Sequence, residues 1–380
     1  METETTHSRQ YITTGPDLFL AFELGLKTWK LGFTIGLGQR PRLRTIVAGD
    51  LEALQMEIQQ AKKRFHLPET TAVQSCYEAG RDGFWLHRYL VTAQVANVVV
   101  HSASIEVPRA QRRAKTDRLD AEKLLTMLIR YHSGEAKVWK VVRPPSAQEE
   151  DHRQLHRELQ TLKRDRTRHS NRLQAFLISQ GIRLKPGPDF LAQLAAVRLW
   201  DGQPLPAGLR SRLEREYEQL CLGEEQIRQL EAERRRAIRN TQSREMAQVR
   251  QLLRLRGVGE NAAWLYVQEF FGWRELRNRR QVGALAGLVP TPNKSGESDR
   301  EQGISKAGNR YMRAMAVELA WLWLRYQPES SLSRWFEQRF SQAGKRARKV
   351  GIVALARRLL IELWRYLETG ALPEGALLKA

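Results

Sequence analysis

The stretch Leu18–Leu24 is an almost unbroken apolar run that is interrupted only by Glu23. A run of this length, followed by a short turn at 25–27, predicts a strand that is buried on both faces of a sheet. A carboxylate within such a strand is costly unless it is paired or bound to a metal ion. This one stretch therefore constrains both the fold of the region and the chemistry that the region can support.

The rest of the first 135 residues alternates between apolar runs and amphipathic stretches. We predict further strands at 28–36, 43–48, 71–77 and 95–100, and helices at 50–65, 81–90 and from 116 onward. Asp50 is the expected N-cap of the first helix. Three strands joined by short turns, then helix, strand, helix, strand and helix, is the element order of the ribonuclease-H-like fold. The pattern predicts an α/β domain with a mixed sheet covered by helices, but it does not fix the strand order.

Four acidic residues occupy unusual positions in this predicted domain. Glu23 interrupts the first strand, Glu78 closes the fourth strand, and Asp117 and Asp120 lie three residues apart at the start of the last helix. Each has an ordinary explanation: exposure at a strand end or pairing with a cation for Glu23, and helix capping or dipole complementation for the others. Together they supply the oxygen ligands by which two Mg²⁺ ions about 4 Å apart promote phosphodiester cleavage.

The chain is strongly basic, with a formal net charge of +21 over 380 residues. This charge predicts attraction to a polyanion, either nucleic acid or an anionic membrane surface, without indicating sequence specificity. The first ten residues lack an apolar segment, and the most apolar run, at 314–324, is too short to span a bilayer. We therefore expect a soluble intracellular protein. Its two cysteines, Cys76 and Cys221, can form neither a disulfide framework nor a zinc site.

Residues 146–245 form a charged helical region after a break at 144–146. Narrow apolar stripes run from Leu155 to Leu177 and from Leu213 to Leu230. Such seams predict either an antiparallel helix pair or a dimerising coiled coil. The arginine-rich faces are either solvated or in contact with nucleic acid, and the overall charge favours nucleic-acid contact.

Residues 246–380 are predicted to form a compact helical domain. The stretch Leu252–Ala263 resembles a helix-hairpin-helix, whose Gly-x-Gly turn brings a helix N-terminus close to a phosphate, although a plain helical hairpin fits the same pattern. A polar loop full of turn formers is expected at 286–311.

This loop contains a candidate nucleophile, Ser295, between the cations Lys294 and Arg300. Ser298 and Ser305 compete with it, and no histidine lies close in sequence to act as its base. The prediction also places three cations on one helix face that could hold a phosphate backbone, unless that face is simply solvated: Lys306, Arg310 and Arg313.

Several of these stretches together resemble the DEDD-type transposases of bacterial insertion sequences, in particular the IS1111 branch of the IS110 group, which are described as bridge-RNA-guided recombinases. The stretches that carry the resemblance are Phe22–Leu24, Cys76–Gly83, Lys115–Ala121, Gly287–Pro290, Ser295–Gly296 and Gly303–Arg310. They are spread over nearly the whole chain.

The resemblance implies a RuvC-like (RNase H fold) domain at 1–145, a coiled-coil spacer at 146–245 and a helical transposase domain at 246–380. It implies that Glu23, Glu78, Asp117 and Asp120 bind Mg²⁺ and that Ser295 forms a covalent phosphoserine link to DNA. One departure is Glu23, where many relatives have aspartate. A longer side chain still reaches a metal, but with a shifted geometry.

The resemblance further implies donor and target DNA as substrates, a noncoding bridge RNA as guide, and dimers that assemble into a tetramer in the bacterial cytoplasm, close to the nucleoid. In that tetramer the serine domain of one subunit completes the metal site of another. Contacts to nucleic acid are expected from Lys115 and Arg118 as well as from the five cations near Ser295. The alternatives are a Mg²⁺-dependent junction-resolving nuclease that uses water as nucleophile, and a non-catalytic nucleic-acid scaffold.

Overall fold

A six-stranded mixed sheet organises the first of two compact units, residues 1–147 and 148–380. The structure is a computed structural model, and it describes residues 16–81, 83–105, 117–135, 137–295 and 298–379. The further domain boundary that the sequence places near residue 245 stays a prediction. Among the described residues, the helices are too short or too polar to cross a membrane.

The strands of the sheet follow the order β3-β2-β1-β4-β5-β6. Their bounds are β1 Leu18–Leu24, β2 Thr28–Thr34, β3 Arg42–Val47, β4 Val73–Glu78, β5 Ala96–Val100 and β6 Val141–Val142. Strand β1 pairs antiparallel with β2 and parallel with β4, and β4 pairs parallel with β5. The five longer strands agree with the sequence prediction within about two residues, and the two-residue strand β6 was not predicted.

The alternation of side chains along β1 explains how helices cover both faces of the sheet. Leu18, Leu20 and Phe22 pack on one face against α1 (Leu51–Arg64) and α2 (Trp85–Thr92). Phe19 and Ala21 point to the opposite face, where they meet α3 (Asp117–His132). Helix α1 begins as predicted, because the Asp50 carboxylate accepts a hydrogen bond from the Ala53 amide at 2.9 Å.

The second unit is predominantly helical. Its helices are α4 Ala147–Ile178, α5 Phe190–Ala196, α6 Ala207–Asn240, α7 Arg244–Leu253, α8 Glu260–Tyr266, α9 Arg279–Leu285, α10 Arg310–Tyr326, α11 Ser331–Phe340 and α12 Lys345–Thr369. Helices α4 and α6 run antiparallel, since Lys163 pairs with Glu231 and His169 pairs with Glu216. Of the two arrangements left open by the sequence, the antiparallel pair is therefore present within the chain, and a dimerising coiled coil stays a prediction.

The segment predicted to be a polar loop contains instead an antiparallel hairpin of β7 (Pro290–Ser295) and β8 (Ser298–Ile304). The expectation was wrong because the segment lacks the apolar alternation that marks a half-buried strand. Two prolines in β7 also argued against a strand. Their register shifts by a bulge between Pro290 and Pro292, which is where a strand tolerates missing amide donors.

Candidate active site

Two of the predicted acids come side by side at the carboxyl ends of β1 and β4. The last residue pair of these parallel strands is Phe22 with Tyr77, so Glu23 and Glu78 occupy the next position along both. Adjacent strands lie about 4.8 Å apart. Glu23 is half-buried, Glu78 is exposed, and Lys30 lies opposite Glu23 on the antiparallel neighbour β2.

Both acids belong to the sheet face that α3 covers. Glu23 follows Ala21 by two residues and Glu78 follows Cys76 by two residues, and side chains two apart on a strand share a face. Ala21 and Cys76 pack in the same cluster as Leu124 and Leu125 of α3. The order of residues therefore directs both carboxylates toward the helix that carries the aspartates.

Helix α3 runs antiparallel to β1 and β4, so that its start lies at their carboxyl ends. The Cys76 thiol is 3.8 Å from the Leu124 carbonyl, and the rings of Phe19 and His132 are 5.8 Å apart. Asp120 lies one turn before Leu124, about 6 Å along the helix axis. Glu78 lies about 6.6 Å beyond Cys76 along its strand, so the half-buried Asp120 comes level with the two glutamates.

These acids occupy one edge of the sheet, where open α/β folds usually place their sites. Among the described side chains, no three His, Cys, Asp or Glu groups come together as a preformed metal site. Carboxylates that approach one another repel until a cation lies between them. The oxygen-only donor set suits a hard divalent ion such as Mg²⁺. Helix α3 begins at Asp117, but the side chains of Asp117 and Arg118, and all of Lys115, lie outside the described residues.

Ser295 is the last residue of β7, directly before the turn of the hairpin. It pairs with Ser298, the first residue of β8. A hydroxyl at this position stands at the tip of a two-stranded arm that extends from the helical unit. The side chains of Ser295, Lys294 and Arg300 lie outside the described residues, so the structure fixes their place in the chain path and not their contacts.

The base of the hairpin is held by close backbone packing at two glycines. Gly308 has a φ of +140°, and a Cβ added there would lie 2.2 Å from the Leu285 carbonyl oxygen. Gly287 has a φ of +67°, and a Cβ there would lie 2.7 Å from an Arg313 nitrogen. Only glycine fits either position without displacing backbone. These contacts give a physical reason for the glycines in two of the stretches that carry the family resemblance.

A buried carboxylate that the sequence reasoning missed anchors the start of α10. Asn309 caps α10 by accepting hydrogen bonds from the Tyr311 and Met312 amides, and its Nδ2 donates to Glu269 at 3.3 Å. Glu269 also accepts from Arg153 at 3.3 Å and from both Nε and Nη2 of Arg157, at 2.7 and 3.1 Å. It lies in a π-helical segment, Val267–Phe271, and is fully buried.

The network keeps Glu269 charged. Burial alone raises the pKa of this carboxyl, but the hydrogen bond from Arg157 and the charges of both arginines outweigh burial, so its pKa lies below the ordinary value. The available sequence signal was an acid within an apolar run, the same signal that identified Glu23. Glu269 thus ties α4 to the segment that follows the serine hairpin.

The three cations predicted to share a helix face do not do so. Lys306 precedes α10 and has a left-handed backbone with φ +53°, so only Arg310 and Arg313 lie on the helix. Arg313 donates to the carbonyl oxygens of Ala286 and Lys306, at 3.3 and 3.1 Å, which gives it a structural task at the base of the hairpin. Lys306 and Arg310 are exposed. The sequence pattern failed here because the helix begins later than assumed.

The predicted helix-hairpin-helix corresponds to α7, a turn at Gly257 with φ +81°, and the seven-residue helix α8. The Cβ position of Gly257 contacts Tyr326 at 3.2 Å, so this turn packs against α10. Whether it contacts phosphate, as a helix-hairpin-helix would, stays a prediction.

A mixed sheet with acids at its carboxyl edge, joined to a basic helical unit, defines the class of metal-dependent nucleic-acid enzymes with an RNase H-like domain. Comparison with known proteins agrees. Residues 45–180 match the DEDD transposase family of the IS110 group, and residues 249–334 match the IS116/IS110/IS902 transposase family.

Full-length relatives narrow the class to one family. The chain is 39% identical to the protein named "Putative transposase y4rJ" of Sinorhizobium fredii over 95% of its own length and 94% of the relative. It is 29% identical to the transposase of insertion sequence IS1328 of Yersinia enterocolitica, over 55% of its own length and 60% of the relative. The chain belongs to the IS110 family of transposases, enzymes that cut and rejoin DNA.

Proposed function

We propose that this transposase cuts and rejoins donor and target DNA through an acidic Mg²⁺ site on the sheet and a serine nucleophile, Ser295, on the hairpin. The observation that carries the proposal is the register of β1 and β4, which puts Glu23 and Glu78 side by side under the start of α3. A chain of net charge +21 supplies the attraction for the nucleic acid.

The proposed task of the acids is to hold two metal ions. Glu23, Glu78 and Asp120, together with Asp117, offer oxygen ligands from two strands and one helix, so the site needs the folded sheet. When bound, Mg²⁺ would polarise the scissile phosphate and lower the pKa of a coordinated hydroxyl. The longer reach of Glu23 compared with aspartate fits its position one residue from the end of β1, next to Lys30 on β2.

The proposed task of Ser295 is to attack the scissile phosphorus with its hydroxyl oxygen. The serine–phosphate bond forms as the bond to the leaving 3′ or 5′ oxygen breaks, and the leaving oxygen keeps the electron pair and is protonated. A second DNA end reverses the step and frees the serine, so no hydrolysis is required. Exposed Lys306 and Arg310, beyond the hairpin, are suited to stabilise negative charge on the phosphate.

The proposal extends to a guide RNA and to a tetramer in which the serine hairpin of one copy serves the acids of another. A guide RNA would carry target choice by base pairing, so side chains need not read the sequence. Support for both comes from the family resemblance and from the basic, antiparallel helix pair α4–α6, which offers a long charged surface.

The test is a covalent adduct. Labelled duplex DNA carrying the ends of the insertion element, with RNA transcribed from the element's noncoding flank, is incubated with the protein and Mg²⁺ and then denatured. We expect a protein–DNA band that Ser295→Ala abolishes while DNA and RNA binding persist. Ser298→Ala, the residue paired with Ser295 across the hairpin, is the matched control and should still form the band.

Two results would contradict the serine assignment. Free 5′-phosphate ends without an adduct would indicate water as the nucleophile and hence the junction-resolving nuclease. Wild-type recombination by Ser295→Ala would show that another group attacks the phosphate. If Asp117→Asn changes neither cutting nor joining, the acidic site itself has no catalytic role.

A further inference from the structure

A groove of about 410 Å³ lies in the helical unit, between α4, α8 and α10 and apart from the acids and the serine hairpin. Leu159 and Met315 form apolar walls, the buried ring of His156 lies at its floor, and Arg164, Thr167 and Glu318 form an exposed rim. This volume is within the range of small-ligand sites, which combine apolar walls with a few polar groups.

The floor of the groove offers a hydrogen-bond donor. His156 is 2% exposed, and its Nε2 accepts a hydrogen bond from the Gln160 amide nitrogen at 3.1 Å. Burial, followed by the charge of Arg234, lowers the pKa of His156 to about 4, so the ring is neutral at pH 7. The proton of a neutral ring with an acceptor Nε2 is on Nδ1. Among the described residues, Nδ1 is buried without a hydrogen-bond partner.

The rim is cationic on the side that leads to the serine hairpin. The Arg164 guanidinium stands over the Tyr311 ring at 5.9 Å, and Arg310 stands over the same ring at 4.9 Å. Lys163, also on the groove, is paired with Glu231 at 2.6 Å. The exposed cation at this rim is therefore Arg164, one helical turn from the apolar wall at Leu159 and Gln160.

We propose that the groove takes one unstacked nucleotide of a single strand of nucleic acid. Its base lies between Leu159 and Met315, an acceptor on its edge meets His156 Nδ1, and its phosphate meets Arg164. A bare phosphate would leave the apolar walls uncovered and would face the carboxylate of Glu318. A purely apolar ligand would leave the His156 donor unsatisfied at a cost. An unpaired nucleotide satisfies both walls and donor, and bases splayed from a strand are commonly bound this way.

The inference does not depend on Ser295 or on the metal site, because it concerns binding only. The probes are short oligothymidylate and oligouridylate strands that each carry a single 2-aminopurine, mixed with the full chain without Mg²⁺. We measure affinity by anisotropy and the shielding of 2-aminopurine emission from acrylamide. Wild type should shield the base. Comparison of the two strands shows whether RNA or DNA is the better source of the nucleotide.

Thr167→Trp tests the groove by filling it from the exposed rim without changing charge. Thr161→Trp is the matched control, because both threonines are exposed on α4 and each donates its hydroxyl to the carbonyl four residues before it, at 2.9 and 3.1 Å. We expect Thr167→Trp to abolish shielding and to weaken binding about tenfold, as loss of one stacked base does. Thr161→Trp should match wild type.

A second variant, Arg164→Ala, separates the phosphate contact from the base contact. It should weaken binding while the bound strand keeps its shielded base, and Arg166→Ala, on another face of α4, should weaken binding less. Absence of shielding in wild type, wild-type shielding in Thr167→Trp, or equal loss in Thr161→Trp would each overturn the proposal.

Discussion

At the scale of single residues, the helical unit buries two ionisable groups in opposite ways. Glu269 is fully buried and stays charged because two arginines and Asn309 donate to it. His156, one turn along α4 from Arg153, is equally buried but stays neutral because its surroundings are cationic: Arg234, Lys163 and Arg157 outweigh Glu269. The neutral form of His156 is thus the form that the fold stabilises.

The pH dependence of stability follows from His156. Its pKa falls from 6.5 in the unfolded chain to about 4 in the fold. Between these values the unfolded chain binds the proton and the folded chain does not, so stability is lost as pH falls from 6.5 toward 4. The free energy of unfolding should drop by up to about 3 kcal/mol over this range. Urea unfolding at several pH values tests this; equal slopes in wild type and His156→Gln would contradict it.

At the scale of elements, the π-helical segment Val267–Phe271 joins α4 to the region after the serine hairpin through Glu269. Glu269→Gln would leave Arg153 and Arg157 without their buried counter-charge. We expect a loss of about 3 kcal/mol in the free energy of unfolding, as for other buried pairs that lose one partner. Glu225→Gln, in the exposed pair with Arg228, should change stability little. Similar effects of the two variants would contradict a dominant role of the network.

The sequence predicted the elements whose apolar pattern is strong. Strand β1 has the predicted bounds, and α12 differs from its prediction by one residue at its end. The hairpin β7–β8 was missed because a two-stranded ribbon with no buried face leaves no periodic signal. The Glu269 network was missed because its partners are far apart in sequence, and only the packed helices bring Arg157 and Asn309 together.

The candidate site was predictable to the same extent. Sequence placed Glu23 and Glu78 at strand ends, but only the strand order showed that these ends are adjacent. The face shared by Lys306, Arg310 and Arg313 was wrong because a left-handed residue at 306 precedes the helix. Helix periodicity holds only once the first helical residue is known.

At the scale of the whole molecule, the net charge of +21 should dominate affinity for nucleic acid. Each phosphate that a cation neutralises releases counterions, so affinity falls steeply with salt. If about six phosphates are neutralised, the Kd for duplex DNA should rise about a thousandfold between about 50 and 200 mM salt. Fluorescence anisotropy at a series of salt concentrations tests this. A change of less than about tenfold would indicate that non-electrostatic contacts dominate.

The organisation into two units gives each part of the proposed reaction its own scaffold. The first unit holds acids at the edge of a sheet, and the second presents a serine at the tip of a hairpin. The hairpin base is fixed by glycine packing and by Arg313, whereas the acids depend on the register between β1 and β4. Sheet register therefore determines whether a metal site exists at all.

The most direct measurement is Mn²⁺ binding to the full chain, followed by electron paramagnetic resonance of the free ion. The proposal predicts saturable binding that Glu78→Gln weakens by at least about tenfold, the loss of about 1.4 kcal/mol expected for one ligand or more. Glu52→Gln, an exposed acid on α1 at the opposite sheet face, should bind as wild type does. Equal affinity in Glu78→Gln and wild type would contradict a metal site at the carboxyl edge of the sheet.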